Sequence, residues 1–204
     1  MPDAKNPTVA IERPEPHILV VTINRPDFLN AVDQNVARGL AEAVSISESD
    51  PDIWVVILTG AGGRAFCTGA DLRVVANRGL DELFLPAGGF AGFVQAARTR
   101  VWIAAVEGFA LAGGFEIALA CDMIVAAEQS VFALPEVKRG LIASGGGAFR
   151  LARKIPANIA NELIVTGARI DCARAQALGL VNEVAHPGGA LDVALRLART
   201  VNEN

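Results

Sequence analysis

Apolar positions along this chain change their period several times, and each period names an element. Residues 17–25 (HILVVTINR) form a β-branched apolar run set off by Pro14, Pro16 and Pro26, which predicts a strand. Asp33 then stands as an N-cap, and Val36, Leu40, Val44 and Ile46 recur on one face while Arg38 and Glu42 fall off it, predicting a helix to about Ser49. Residues 54–59 (WVVILT) are an almost unbroken apolar run, as expected of a strand covered on both faces. Residues 60–72 (GAGGRAFCTGADL) read as a Gly-rich loop opening into a helix, and 77–92 as a mobile loop or broken helix. Further strands are expected at 102–108, 122–127 and 132–134, with a helix between the first two from about 113 to 121. The chain then turns helical at 145–154, 157–166 and 171–178, with Gly167 and Gly179 as stops and Asp171 as an N-cap. A short strand (LVNEVA) and an amphipathic helix over 190–201 complete it. Strands alternating with helices, followed mostly by helices, predict an α/β fold, with residues 1–150 as the core carrying the site and 151–204 as a helical C-terminal region.

Two stretches echo one another. Trp54 to Gly60 and Trp102 to Gly108 each read Trp, five residues, Gly, and each precedes a loop ending in small residues, Gly69-Ala70 and Gly113-Gly114. The offset, 102 − 54 = 48, points to a repeated strand–loop–helix turn rather than a long array.

Composition narrows the function classes. At 204 residues the chain can bury a sizeable core, and its 52% hydrophobic content leaves apolar surface for another subunit. A net charge of −4 without basic clusters argues against nucleic acid. Cys67, Cys121 and Cys172 are scattered and only His17 and His186 could join them, so no metal site is expected and a reduced, cytoplasmic setting is. The polar, Pro-rich start is not a signal peptide. The apolar stretch 101–127 is broken by Glu107, Glu116 and Asp122 and by glycines, so it reads as buried core rather than a membrane span.

Three features together carry chemistry. Gly69-Ala70-Asp71 and Gly113-Gly114 each place a backbone N–H at an expected helix start, where an oxyanion can be held. Glu116 follows Gly113 by one helical turn, and Glu136 follows Pro135 after the strand at 132–134. Acids in such apolar surroundings should have raised pKa values suited to proton exchange near neutrality. Singly, the glycines also read as packing or turn residues, and Glu116 as a helix-dipole residue. No phosphate-binding glycine motif and no GxSxG nucleophile motif is present; Ser144 lacks a histidine by motif, and Cys67 reads as a small buried residue.

RAFCTGADL, EGFALAGGFEIALACD and FALPEVKRGLIASGGGAFRL closely resemble the three signature segments of the crotonase (enoyl-CoA hydratase/isomerase) superfamily, and NRPDFLNAVD and TGARIDCARAQALGLVNEV resemble further family segments. The resemblance implies a spiral of β-β-α turns with a helical trimerisation region, and an acyl-CoA thioester as substrate. It implies an oxyanion hole from the Ala70 and Gly113 amides and catalytic glutamates at Glu116 and Glu136, whose separation, 136 − 116 = 20, is that of the hydratase pattern. It further places Phe28, Leu29, Ala31, Ala65, Gly69, Asp71, Leu72, Gly114, Pro135 and Gly140 around the substrate and its CoA. The implied activity is hydration of a 2-enoyl-CoA to 3-hydroxyacyl-CoA, Glu136 giving the α-proton and Glu116 activating water, with no metal or redox cofactor, in a homotrimer or dimer of trimers. An isomerase or a carnitinyl-CoA dehydratase is the alternative within the family; a non-catalytic acyl-CoA binder or oligomer scaffold is the alternative outside it. Family members usually run several tens of residues past the match to Val201, so a shortened helical region, from truncation or in a short member with a more open pocket, is expected here. Leu83, Phe84, Leu85, Phe90 and Phe93 either line the acyl pocket or pack their loop down.

Overall fold

The backbone repeats one turn: a long strand, a short strand, a helix. The computed structural model describes residues 7–204. It opens with a hairpin of β1 (Val9–Glu15) and β2 (Ile18–Ile23), antiparallel, and helix α1 (Gln34–Ser49) follows, its N-terminus capped by the Asp33 carboxylate accepting from Val36 N. The next turn is β3 (Val55–Gly60), β4 (Ala65–Cys67) and α2 (Leu72–Arg78). After a 3-10 turn at Leu80–Leu83, the tiny ladder β5 (Phe84–Leu85) and β6 (Gly89–Phe90) leads into β7 (Val101–Val106), β8 (Phe109–Leu111) and α3 (Gly113–Ala120). Then come β9 (Met123–Ala127), β10 (Val131–Ala133), a 3-10 turn at Pro135–Arg139, and helices α4 (Gly147–Lys154) and α5 (Ala157–Thr166). The chain closes with β11 (Arg169–Asp171), α6 (Cys172–Ala177), β12 (Glu183–Ala185) and α7 (Ala190–Asn202).

After the opening hairpin, which lies wholly in the larger sheet, each turn adds one strand to each of two sheets. The long strands build a six-stranded sheet ordered β1-β2-β3-β7-β9-β12, parallel from β2 onward, and the short ones a four-stranded sheet ordered β11-β10-β8-β4. The apolar runs of β2, β3 and β7 follow from this, because both faces of the large sheet are covered. Leu19, Val21, Val56, Leu58, Ala104 and Val106 point into the main core with Phe66, Phe115 and Phe132. Their alternates Ile18, Val20, Val55, Ile57, Ile103 and Ala105 meet Ala190, Ala194 and Ala198 of α7 on the outer face. The small alanines let α7 approach the sheet closely.

The repeat seen in the sequence is therefore real as topology, but its two tryptophans are not equivalent. β3 and β7 pair with Val56 opposite Trp102, so Trp102 is fully buried while Trp54 lies 44% exposed and stacked on His17. Four strands of the two main sheets escaped the sequence pattern. β1 contains Pro14, and β4, β8 and β11 are only three residues long; β4 lay inside the expected Gly-rich loop. Helix α4 starts at Gly147 rather than Gly145, because Gly146 takes φ 103° as its cap. The reading of the polar start falls partly on residues 1–6, outside the described residues. Among the described residues no helix is long and apolar enough to cross a membrane.

Candidate active site

The corner between β8 and α3 is strained. Ala112 holds φ 51° and ψ −128°, a conformation costing an L-residue on the order of 1–3 kcal/mol. Its surroundings hold it there: its N–H donates to Ala133 O at 2.9 Å and its carbonyl accepts from Glu116 N at 3.0 Å. The corner converts strand to helix in one residue and leaves the Gly113 amide as the first of the helix, with no intrahelical acceptor. A side chain at Gly113 would collide with Phe90, its Cβ lying 2.4 Å from Cε1 of the ring.

Ala70 arrives by a different route from the one its sequence suggested. It does not open a helix, since α2 begins at Leu72 behind an Asp71 cap. Instead it forms a parallel bridge with Val32, in which Val32 N donates to Gly69 O and Asp71 N to Val32 O, each at 2.8 Å. That pattern turns Ala70's own amide away from Val32. A Cβ on Gly69 would come within 2.9 Å of the Gly113 nitrogen, so the two backbones run side by side. Among the described residues no group accepts a hydrogen bond from either amide.

Both glutamates reach the cavity these amides line, a space of about 360 Å³. Glu116 is 4% exposed, and its Oε1 accepts from Gly147 N at 2.9 Å. Burial, reinforced by the neighbouring Glu136 carboxylate, pushes its pKa up to about 7 against the pull of the Gly147 and Gly145 amides and of Arg150. Glu136, on the 3-10 turn after β10, is also raised, by burial. Its Oε2 is buried without a hydrogen-bond partner, which is costly unless the oxygen carries a proton or meets a ligand. Leu72, Val75, Leu80, Phe84, Leu141 and Ile142 make the rest of the wall largely apolar. A second groove, about 520 Å³, shares Thr68, Ala70, Leu72 and Arg139 with the first and runs out past Phe28, Leu29, Ala31 and Asp71.

Two unpartnered backbone amides beside two buried carboxyls of raised pKa, next to an adjoining groove, can hold a developing oxyanion and exchange protons. The family model for enoyl-CoA hydratase/isomerase matches residues 13–204. This chain belongs to that family. It is 40% identical over 183 residues to a carnitinyl-CoA dehydratase of Salmonella arizonae, covering 89% of this chain and 70% of that protein. It superposes with a TM-score of 0.91 and 49% identity on an enoyl-CoA hydratase from Mycobacterium tuberculosis, covering 97% of this chain and 77% of that one. A carnitinyl-CoA dehydratase from Mycobacterium avium gives TM-score 0.91 and 45% identity at the same coverage.

In this enoyl-CoA hydratase/isomerase family member the expected residues separate. Ala70, Gly113, Glu116, Pro135, Glu136 and Leu72 meet at the first cavity, and Phe28, Leu29, Ala31 and Asp71 at the adjoining groove. Ala65 is buried in β4, its carbonyl accepting from Asn30 Nδ2 at 2.7 Å. Gly69 and Gly114 serve close packing; a Cβ at Gly114 would fall 2.0 Å from Cys67 O. Gly140 takes φ 68° to end the 3-10 turn. Of the five loop side chains, Phe84 and Phe90 line the cavity, packed edge to face at 5.6 Å, whereas Leu83 and Phe93 are fully buried in the core.

Sequence reasoning missed the cations. Arg25 and Arg73 pack against the Phe28 ring, their Cζ atoms 4.8 and 4.2 Å from its centre, and both pair with Asp71. These pairs hold the Asp71 carboxyl down at about 2, the Arg73 hydrogen bond contributing most. The Asp71-x-Arg73 spacing at a helix start was the available signal. Buried Asn30, at φ 56°, staples the same loop by accepting from Arg25 N and donating to Ala61 O and Ala65 O.

Proposed function

We propose that this chain is a hydro-lyase that adds water across the 2,3 double bond of a 2-enoyl-CoA thioester, giving a 3-hydroxyacyl-CoA. The observation that carries the reading is the unpartnered buried Oε2 of Glu136 in the same cavity as amide-held Glu116 and the two free amides. The amides of Ala70 and Gly113 receive the thioester oxygen as it becomes an enolate oxygen, where one such donor contributes ~3 kcal/mol to the transition state. Glu116, fixed by Gly147, takes a proton from the attacking water. Glu136 delivers one to the α-carbon. Burial raises both carboxyls, which favours proton exchange by this pair at the reacting centre. The addition is redox-neutral and its charge is met by backbone donors, so the chemistry calls on no cofactor beyond the substrate's own CoA. Phe28 and the two arginines packed on it offer an aromatic and cationic surface to the CoA end.

A carnitinyl-type substrate is the second reading, supported by the names of the relatives. The cavity favours a neutral acyl chain: its wall is mostly apolar, Arg139 shares its mouth, and among the described residues its only carboxylates are the two glutamates already assigned to the chemistry. Hydration of crotonyl-CoA, followed by loss of enoyl absorbance, tests the proposal. Turnover is expected, and faster than with the trimethylammonium enoyl-CoA; no hydration of short, medium or long enoyl chains would overturn it, and CoA binding without turnover would favour a binder. A homotrimer is supported by exposed Leu141, Ile142, Phe149 and Val165, testable by sedimentation, and a cytoplasmic setting by three buried free thiols.

A further inference from the structure

Helix α4 carries a cation that the mechanism above does not use. Arg150 is partly buried, and burial lowers its pKa. Among the described residues it forms no ion pair with a carboxylate. Its guanidinium donates instead to two carbonyls, Gly145 O at 2.8 Å and Val94 O. Arg98 stands behind it, so two cations share one poorly solvated region.

Residues 145–147 lie between this guanidinium and Glu116. On one side, a Cβ at Gly145 would fall 2.6 Å from Glu116 Oε2, and Gly147 N donates to Oε1. On the other, a Cβ at Gly146 would fall 2.0 Å from Arg150 Nη1. The carboxylate and the guanidinium therefore both pack against the same bare backbone segment. Glycines alone give that segment little preference for one conformation, so something outside it must fix the direction of the Gly147 N–H.

We infer that Arg150 is a positioning residue for Glu116, clamping the Gly145 carbonyl so that the Gly147 amide is held on the carboxylate. Orientation reaches Glu116 through one hydrogen-bonded backbone segment, and the cation's field reaches it directly. The charged groups facing Glu116 are Glu136 from the 3-10 turn and Arg150 from α4. Glu136 disfavours the ionised form and Arg150 favours it, so the two set the balance in opposite directions.

The inference rests on the hydratase reading for its kinetic part only. The test is Arg150→Gln and Arg150→Lys, with Arg98→Gln as the comparison, read by crotonyl-CoA kinetics and by NMR titration of the Glu116 carboxyl, assigned through its loss in Glu116→Gln. Arg150→Gln should lower kcat about 10- to 100-fold with KM changed less than about threefold. It should also raise the Glu116 midpoint by about one pH unit. Arg150→Lys keeps the charge but cannot span both carbonyls; it should lose kcat while moving the midpoint less, and it carries the test if the Gln variant does not fold. Arg98→Gln, which removes a cation bonded to Phe93 O and Ala120 O, should lower stability without raising the midpoint. A folded Arg150 variant with wild-type kcat and an unmoved midpoint would overturn the inference. Inactive wild-type protein would sink the hydratase reading, and the titration would still decide the role of Arg150.

Discussion

The turn β3-β4-α2 and the turn β7-β8-α3 have the same topology, pair strand to strand, and each present one backbone amide to the cavity. They reach that result by opposite means. In the first, Ala70 is aimed by a bridge to Val32, and the next residue, Asp71, is a charged cap tied to Arg25 and Arg73 beside an open groove. In the second, Gly113 is aimed by the strained Ala112, and the next residue, Gly114, has no room for a methyl group. Helix α2 contains no buried residue, whereas α3 is buried from Gly113 through Leu119. A repeated turn can therefore supply matched donors while its side chains serve different ends. One turn borders the open groove, and the other is buried and keeps Glu116 in low dielectric.

The sharpest way to break the comparison is at the residue following each donor. Gly114→Ala drives a Cβ into the backbone of β4, and should cost about 3 kcal/mol or more, seen as a large drop in Tm or loss of folded protein. Asp71→Ala at the matching position should fold, losing an N-cap contribution of about 1 kcal/mol. Equal losses would show the two turns to be energetically alike.

The catalytic contrast comes next. Glu136→Gln and Glu116→Gln should each lower kcat by about 10²- to 10⁴-fold with little change in KM, measured with crotonyl-CoA. An unchanged kcat would remove that residue from the mechanism.

Glu116→Gln also tests the buried environment of α3. Because the folded-state pKa is raised from 4.5 to about 7, the protonated group supports the fold fully below pH 4.5 and that support is lost as pH rises through 7. The loss is on the order of 3 kcal/mol. The Gln variant should therefore gain stability over wild type between pH 5 and 8 in denaturant titrations, and the gap should close below about pH 4.5. A gap independent of pH would contradict the raised pKa.

The smallest effect belongs to the exposed turn. Arg73→Ala removes one cation from the Phe28 face, and should raise KM about two- to fivefold with kcat unchanged. A fall in kcat would mean that the first turn acts on chemistry as well as binding.

Much of this was legible in the chain because it is local. The apolar runs of β2, β3 and β7, the Asp33 and Asp171 caps and the stops at Gly167 and Gly179 depend on neighbours a few residues away. The short strands β4, β8 and β11 are too brief to show a period, and they exist only because adjacent turns supply partners. Ala70 was read as a helix-start donor for the same reason: the bridge to Val32, 70 − 32 = 38 residues away, has no trace in its own segment.

By itself the sequence determined the alternation of elements and the signature segments, and it singled out Glu116, Glu136, Ala70 and Gly113 as candidates. Tertiary structure alone decided that Oε2 of Glu136 lacks a partner, that Gly147 holds Glu116, that Leu83 and Phe93 pack while Phe84 and Phe90 line the cavity, and that two arginines pack against Phe28. The division has a physical cause. Backbone preference and hydrophobic period act over a turn or two of chain, whereas burial, hydrogen-bond partners and electric fields are set by residues brought together from different turns of the spiral.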